Sequence, residues 1–168
     1  KKTVFGICGG YQMLGNEVKD ADGVEGGGEI RGMELLDCST VLKNGKVRTQ
    51  VSGRLGTVEG VLSCLSGKEF SGYEIHMGQT TVGADANIME KGAYKGNVYG
   101  TYIHGFFDED GIASDVVRAL AAAKGVTLGG TSGDYRAFKE SQYDKLADAV
   151  REYMDMKAVY EMLREARI

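Results

Sequence analysis

The fold is decided by one stretch near the start of the chain, Thr3-Val4-Phe5-Gly6-Ile7-Cys8-Gly9-Gly10-Tyr11-Gln12-Met13-Leu14-Gly15. Its first half is a short apolar run, which predicts a buried parallel strand that ends in a tight turn. Its second half, from Tyr11 to Leu14, predicts a helix that stops at Gly15. A strand that passes through a turn directly into a helix indicates an α/β fold.

Cys8 occupies the turn of this unit and has small residues on both sides. This arrangement is typical of a nucleophile elbow, where small neighbours leave room for the adjacent strand and the substrate, and N–H groups at the helix start face a developing oxyanion. We expect the positive end of the helix to lower the pKa of the Cys8 thiol. A lone cysteine is more often a small buried hydrophobe, but the glycine frame favours a nucleophile.

The other two cysteines, Cys38 and Cys64, lack a glycine frame and are interpreted as structural. A thiolate nucleophile needs a base within hydrogen-bond reach, and the chain offers two histidines, His76 and His104. His104 closes the strand-like run 97–105, and strand ends are where open α/β sheets place their chemistry. This placement favours His104 over His76 as the base.

The rest of the chain changes from β-rich to helical. Residues 40–42 and 47–51 are strand-like and flank Lys43-Asn44-Gly45-Lys46, and Asn-Gly between two such runs predicts a hairpin. From Asp110 the apolar spacing predicts a helix that stops at Gly125. Two more helices, at about 135–153 and after an Asp155 N-cap, are expected to pack on a core. The first of them carries an apolar stripe made of Phe138, Tyr143, Leu146, Ala147, Val150 and Met154.

Length and charge exclude several classes of protein. The 168 residues are enough for one domain. With 24 acidic and 20 basic side chains the net charge is −4, which argues against a nucleic-acid partner. No stretch approaches the ~18 uninterrupted apolar residues of a membrane span, so we expect a cytoplasmic protein without a membrane partner. Three cysteines without a C-x-x-C pair argue against a disulfide framework and a zinc site.

Three motifs follow one another along the chain, residues 6–15 quoted above, Gly72-Tyr73-Glu74-Ile75-His76-Met77-Gly78 and Tyr99-Gly100-Thr101-Tyr102-Ile103-His104-Gly105. In order and spacing they resemble the class I glutamine amidotransferase domain of the cobyric acid synthase family, which is of the CobB/CobQ type. The tail at 135–147 is similar to the C-terminal helical region of that family. The resemblance therefore covers nearly the whole chain.

The resemblance implies a flavodoxin-like α/β fold, a three-layer sandwich with a mixed sheet and C-terminal helices. It implies that residues 1–168 form one amidotransferase domain, of which they are the C-terminal part. In that family two or three βα units precede the elbow strand and include a loop that gives the other oxyanion donor. An ATP-dependent synthetase domain lies further upstream. We therefore expect a truncated chain that lacks the first βα units and the synthetase domain.

The resemblance assigns Cys8 as nucleophile, His104 as base and Gly9 as the source of an oxyanion-hole N–H. It implies hydrolysis of glutamine to glutamate and ammonia through a Cys8 thioester. In the family this ammonia amidates side-chain carboxylates of a corrinoid, cobyrinic acid a,c-diamide, in cobalamin biosynthesis. No cofactor or metal is expected in this domain, since ATP and Mg²⁺ belong to the synthetase domain. Glutamine itself would be bound by Gln12, Tyr73, Glu74 and His76.

Several alternatives stay open. Many class I amidotransferases carry a Glu two residues after the catalytic His, where this chain has Phe106, and the cobyric acid synthase branch is known to lack it. Glu74, Asp108 or Glu109 could orient His104 instead, or Cys8 and His104 could act as a dyad. The diamide-forming relative, cobyrinic acid a,c-diamide synthase, is a close neighbour. The rival functions are the glutaminase subunit of the lipid II (peptidoglycan) amidating complex and a catalytically inert, amidotransferase-like interaction module.

Overall fold

The computed structural model describes residues 2–109, 111–129 and 135–166. The chain divides into two compact units, Lys1–Gly130 and Thr131–Ile168, which are described separately. Within its described residues the first unit has helices α1 (Gly9–Leu14) and α2 (Ile112–Ala123). Its strands are β1 (Val4–Ile7), β2 (Glu17–Asp20), β3 (Gly28–Arg31), β4 (Cys38–Arg54), β5 (Glu69–Val82), β6 (Asn87–Met89), β7 (Gly92–Lys95) and β8 (Val98–Thr101).

The strands form two four-stranded mixed sheets. In the first sheet the order is β1-β8-β7-β6, with β1 and β8 parallel and the other pairs antiparallel. In the second the order is β3-β2-β4-β5, with only β2 and β4 parallel. Mixed sheets with C-terminal helices confirm the predicted α/β class of a class I amidotransferase. The parallel pair β1 and β8 brings the residues that follow these two strands, Cys8 and Tyr102, to one end of the first sheet.

Two clusters of buried side chains lie next to the chain segments that carry the two predicted catalytic residues. Tyr99, Ile103 and Phe106, each 0% exposed, belong to one cluster and surround the chain segment of His104. Tyr11 and Tyr102 belong to the other and lie next to the elbow. Each fully buried side chain of this size contributes about 1.5–3 kcal/mol. The backbone on either side of both predicted catalytic residues is therefore anchored in a core.

The hairpin predicted at Asn44-Gly45 is wrong. Leu42 pairs with Gly78 and Val47 pairs with His76, so β4 runs straight through this region and pairs with β5 on both sides of it. Residues 43–46 face Met77 alone and form a bulge within one strand. The local turn signal is overridden because both flanking segments find the same partner strand.

Helix α2 confirms the prediction made from residue 111 onward, Asp110 itself lying outside the described residues. Gly125 has a φ of +67° and ends the helix as predicted. The Val126 N–H donates to the Ala121 carbonyl at 2.9 Å, and the Gly125 N–H donates to the Ala122 carbonyl at 3.0 Å. This is the Schellman pattern, in which a residue with positive φ satisfies the last helical carbonyls.

The second unit contains α3 (Tyr135–Tyr153) and α4 (Met156–Glu165). The Asp155 side chain accepts a hydrogen bond from the Ala158 N–H at 3.0 Å, which confirms the predicted N-cap. The prediction that the α3 stripe is buried in a core is wrong, because Phe138, Tyr143 and Leu146 are each more than half exposed. None of the helices described in either unit combines the length and hydropathy needed to cross a membrane.

Candidate active site

The predicted elbow is present at Cys8. This residue joins β1 to α1 with φ 54° and ψ −114°, a backbone conformation that residues other than glycine rarely adopt. Its N–H donates to the Thr101 carbonyl at 2.9 Å, and its carbonyl accepts from the Gln12 N–H at 3.1 Å. Such a backbone conformation costs about 1–3 kcal/mol and persists only where the surroundings enforce it. These two hydrogen bonds hold the strained turn from both ends.

The small neighbours of Cys8 have different structural reasons. A Cβ added at Gly6 would lie 2.7 Å from the backbone of Gly10 and 2.7 Å from the Leu14 side chain, so a glycine lets α1 pack against β1. Added Cβ atoms at Gly9 and Gly10 would meet nothing within 4 Å. Gly6 is therefore required by packing, whereas Gly9 and Gly10 leave open space beside the thiol.

The Cys8 thiol is half-buried and donates a hydrogen bond to the Ile75 carbonyl, with 3.5 Å between Sγ and the oxygen. Burial raises the pKa of this thiol, the Gly9 N–H acts in the opposite direction, and the charge of Glu25 raises it further. The predicted lowering of the pKa is therefore wrong for the free protein. Helix α1 is only six residues long, and its stabilising effect on a thiolate is smaller than the cost of removing the charge from water.

His104 lies three residues beyond β8, at the outer edge of β5. The His104 N–H donates to the Tyr73 carbonyl at 2.8 Å, and the Tyr73 N–H donates to the His104 carbonyl at 3.1 Å. The imidazole stacks on the Tyr73 ring, with the centroids 5.0 Å apart and 7° between the planes. Gly72 is needed here, because an added Cβ would overlap the His104 carbonyl oxygen.

The His104 Nε2 atom is buried and has no hydrogen-bond partner among the residues described. A buried polar group left without a partner costs about 1–3 kcal/mol. Two of the three carboxylates suggested as its partners are engaged elsewhere within the described structure: Glu74 binds His76 and Lys91, and Glu109 accepts from Ser71. Phe106 is fully buried and packs on Phe5, so the position of the usual Glu faces the core. Of the predicted arrangements, those with Asp108 as the orienting residue and with a Cys8–His104 dyad stay predictions.

Cys8 and His104 both contact the outer edge of β5. The Ile75 carbonyl accepts from the thiol, and the backbone of Tyr73 pairs with His104. Two residues along a strand span roughly 7 Å. The nucleophile and the base predicted from the sequence therefore meet the same short segment of one strand.

His76 and Glu74 pair with each other instead of facing the thiol together. His76 Nε2 lies 3.0 Å from Glu74 Oε2, and His76 Nδ1 lies 2.8 Å from the Gly78 carbonyl. Both ring nitrogens of His76 are thus within hydrogen-bond distance of an oxygen, and the ring is fixed from both sides. Lys91 Nζ, at the exposed side of this pair, lies 3.3 Å from the other Glu74 oxygen and completes a triad around the buried Glu74 carboxylate.

Tyr102, which the sequence analysis missed, connects this triad to Gln12. The Gln12 amide nitrogen donates to the Tyr102 hydroxyl at 3.2 Å, and the His76 ring stacks on Tyr102 with 3.8 Å between centroids. Thr80 is hydrogen-bonded to the same hydroxyl at 2.5 Å. No sequence pattern marks this tyrosine, because its partners come from distant segments.

Two open cavities divide the predicted glutamine-binding residues. One of about 400 Å³ is lined by Gly9 and Gln12, and one of about 300 Å³ is lined by Tyr73 and Glu74. His76 is not among the described lining residues of either cavity. The residues predicted to form one glutamine pocket are therefore divided: some line one cavity, some line the other, and His76 is buried against Glu74.

Several charged residues that line these cavities were not predicted, among them Glu25 and Arg48. Glu25 lines the larger cavity and affects the Cys8 thiol, and Arg48 lines the smaller one. An acidic residue within the glycine-rich segment 23–28 was a usable signal for Glu25. Arg48 could not be placed, because the bulge in β4 shifts the alternation of its side chains. Within the described ranges no three His, Cys, Asp or Glu residues are grouped as a metal site.

Comparison with known proteins gives a consistent family. Residues 1–112 match the family model of the CobB/CobQ-like glutamine amidotransferase domain. A cobyric acid synthase of Lachnoclostridium phytofermentans is 45% identical over 183 residues, which cover 96% of this chain and 36% of that protein. One of Ruminiclostridium cellulolyticum is 45% identical, covering 98% and 35%, and one of Citrobacter koseri is 39% identical, covering 98% and 35%. The chain spans about a third of the length of these curated relatives.

Proposed function

The chain belongs to the CobB/CobQ-like glutamine amidotransferase domain family, and from this membership we propose that it is the glutaminase domain of a cobyric acid synthase. It hydrolyses L-glutamine to L-glutamate and ammonia. The ammonia amidates side-chain carboxylates of a corrinoid, cobyrinic acid a,c-diamide, in the cytoplasm. That amidation takes place in a synthetase domain, which uses ATP and Mg²⁺ and lies outside residues 1–168. The names of the relatives support the acceptor.

The observation that carries the proposal is the outer edge of β5. There the thiol of Cys8 and the backbone of His104 are bound two residues apart, and His104 Nε2 lacks a partner among the described residues. A proton accepted from the thiol, or one shared with a substrate, would satisfy that nitrogen. This arrangement supports Cys8 as nucleophile and His104 as base.

In the proposed reaction Cys8 Sγ attacks the side-chain amide carbon of glutamine, while its proton passes to His104 Nε2. The carbon–nitrogen bond breaks, and His104 delivers the proton to the departing ammonia. A water molecule, deprotonated by His104, then attacks the γ-glutamyl thioester. Glutamate leaves, and the proton returns to the Cys8 sulfur. Every proton in the cycle is thus held by His104, Cys8 or a product.

Of the two backbone N–H groups nearest the thiol, those of Cys8 and Gly9, only one is available for the proposed oxyanion hole. The Gly9 N–H acts to lower the pKa of the thiol, which supports it as a donor to an oxyanion formed at the attacked carbon. The Cys8 N–H is engaged by the Thr101 carbonyl and does not serve. We assign the oxyanion-hole role in this chain to Gly9.

Covalent labelling tests the nucleophile on the chain itself. The diazo-ketone analogue of L-glutamine should give one adduct, which mass mapping places on Cys8, and Cys8→Ser should abolish it. Cys64→Ser is the matched control and should leave the adduct unchanged, since Cys64 donates to the Asp115 carbonyl and belongs to another part of the core. Labelling of Cys38 or Cys64 in place of Cys8 would contradict the assignment.

A second function, an inert interaction module, is favoured by one observation, the raised pKa of the Cys8 thiol. The same experiment distinguishes the two, because an inert module would leave Cys8 unlabelled by the diazo-ketone. The acceptor is tested separately in the full-length protein. There the side-chain amide nitrogen of isotopically labelled glutamine should appear in the corrinoid product.

A further inference from the structure

The Tyr102 hydroxyl connects α1 to the paired strands β4 and β5. It accepts a hydrogen bond from the Gln12 Nε2 atom at 3.2 Å and is hydrogen-bonded to the Thr80 hydroxyl at 2.5 Å. Thr80 is in turn hydrogen-bonded to the Thr40 hydroxyl at 2.7 Å. Tyr102 and Thr40 are both buried. The Gln12 amide nitrogen is therefore held by a series of hydroxyl groups that is anchored in the core.

The Tyr102 ring is fixed on more than one side. It stacks on the His76 ring with 3.8 Å between the centroids, and it meets the Tyr11 ring edge-on with 5.3 Å between the centroids. His76 is itself held by Glu74 and by the Gly78 carbonyl. A side chain packed in this way keeps its hydroxyl in one place, as a support for a neighbouring functional side chain requires.

Gly78 leaves the space in which Gln12 and Tyr102 meet. A Cβ added at Gly78 would overlap the Gln12 Nε2 atom, and it would lie 2.8 Å from the Thr40 Cγ2 atom and 3.0 Å from the Tyr102 hydroxyl. The φ angle of Gly78 is not positive, so its backbone conformation does not itself require glycine. The side chains around it do, because their contact occupies the position of a Cβ.

The other end of the Gln12 amide is available to a ligand. Gln12 lies one helical turn after Cys8, whose carbonyl accepts from the Gln12 N–H, and it lines the cavity of about 400 Å³ together with Gly9. Its Oε1 atom has no hydrogen-bond partner among the described residues and is not buried. An amide held through its nitrogen thus offers its oxygen as an acceptor beside the thiol.

From these contacts we propose that Tyr102 is a positioning residue for glutamine binding. Its hydroxyl holds the Gln12 nitrogen, so that the Gln12 oxygen accepts a hydrogen bond from an N–H group of the substrate. Tyr102 touches no reacting atom and acts only through Gln12. The inference rests on the proposed function, since it takes glutamine as the substrate. Loss of the hydroxyl should weaken substrate binding and leave the chemistry of Cys8 unchanged.

The test measures the rate of Cys8 labelling on the intact chain at increasing concentrations of the diazo-ketone analogue of L-glutamine. Mass spectrometry then gives a half-saturating concentration and a limiting rate. Tyr102→Phe keeps the ring and removes only the hydroxyl. We expect it to raise the half-saturating concentration about five- to tenfold, as for loss of one hydrogen bond. The limiting rate should stay within about twofold of the wild type, because only binding is affected.

Tyr99→Phe is the matched control, because it removes another buried tyrosine hydroxyl, which contacts the Leu62 N–H and the Glu59 carbonyl. It should change the half-saturating concentration less than about twofold. An unchanged value in Tyr102→Phe, or an equal rise in both variants, overturns the inference and leaves the proposed function standing. A fall in the limiting rate alone also overturns it, since Tyr102 would then act on the reaction and not on binding.

A double-mutant cycle with Gln12→Ala distinguishes positioning from a general structural role. A residue that acts through Gln12 loses its effect once the Gln12 side chain is removed. In the Gln12→Ala background, Tyr102→Phe should therefore change the half-saturating concentration less than about twofold. The full five- to tenfold effect in that background would overturn the inference.

Gly78→Ala tests the same contact without removing any hydrogen-bonding atom. Its Cβ would displace the Gln12 amide from Tyr102, so the half-saturating concentration should rise about fivefold. An unchanged value would overturn the inference even if Tyr102→Phe failed to fold. Failure of the diazo-ketone to label Cys8 in the wild type would overturn both the inference and the proposed function.

Discussion

The surroundings of the two histidines differ in one respect that bears on chemistry. Each ring stacks on a tyrosine, His76 on Tyr102 and His104 on Tyr73. Both nitrogens of His76 are hydrogen-bonded, whereas the buried Nε2 of His104 has no partner in the described structure. A fully bonded histidine holds its neighbours in place, and one with a free nitrogen can take a proton. The difference supports His104 as the base, independently of its position at a strand end.

The largest effect that would test this comparison is on Cys8 reactivity. His104→Ala should slow labelling by the diazo-ketone analogue by about 10²–10⁴-fold, the usual contribution of a general base. His76→Ala should slow it less than about tenfold, since His76 acts only through Tyr102 and Gln12. Rates are measured by mass spectrometry on the intact chain. Equal losses in the two variants would remove the distinction between the histidines.

The second prediction concerns stability, for which the contacts of His76 should matter more than those of His104. Glu74→Ala should lower the free energy of unfolding by about 3 kcal/mol, because it leaves the buried His76 Nε2 and the Lys91 ammonium without their common partner. His104→Ala should lower it by less, about 1 kcal/mol, because it also removes an unpaired buried nitrogen. Urea unfolding followed by circular dichroism gives both values. A larger loss in His104→Ala would show that His104 is the structural histidine.

A third prediction concerns the elbow that brings the thiol to this edge. Gly6→Ala should destabilise the chain by about 2 kcal/mol and slow Cys8 labelling, because its Cβ would meet the backbone of Gly10 at 2.7 Å and displace α1. Gly10→Ala is the matched control, since its Cβ meets nothing within 4 Å. It should change the unfolding free energy by less than about 1 kcal/mol. Equal stability of the two variants would mean that α1 does not need its close contact with β1.

The smallest effect is the pH dependence of the thiol. Burial raises the pKa of Cys8, so the rate of alkylation by iodoacetamide should rise with pH at a higher midpoint than in the unfolded chain. The stability linked to this group is present below the unfolded pKa and is lost as the pH rises through the folded pKa. Glu25→Gln should lower the midpoint, because it removes one cause of the shift. A midpoint below that of the unfolded chain would contradict the assigned direction.

Local patterns were sufficient for the elements that depend on neighbouring residues. The strand, turn and helix around Cys8, the end of α2 at Gly125 and the cap at Asp155 all follow from a few adjacent side chains. In each case one backbone conformation or one short hydrogen bond decides the outcome. Such interactions are visible in the sequence because both partners lie within five residues.

What depends on distant partners could not be predicted. Asn44-Gly45 predicts a turn, yet β5 pairs with the strand on both sides of it. The Cys8 pKa depends on burial and on Glu25, which lies 17 positions away. Tyr73, Glu74 and His76 lie on one strand, but Glu74 and His76 are nearly buried and contact each other, whereas Tyr73 stacks on His104. The sequence shows which residues are near one another along the chain, and these features require the folded arrangement.

The bulge at residues 43–46 of β4 can change in length without changing how β4 pairs with β5 on either side of it. Five residue pairs, from Cys38 to Leu42, fix one half of the ladder with β5, and eight pairs, from Val47 to Arg54, fix the other half. Residues 43–46 between them are all exposed. Exposed segments whose ends are held independently tolerate insertions. A peptide grafted at 43–46 should therefore leave both the pairing of β4 with β5 and the reactivity of Cys8 unchanged.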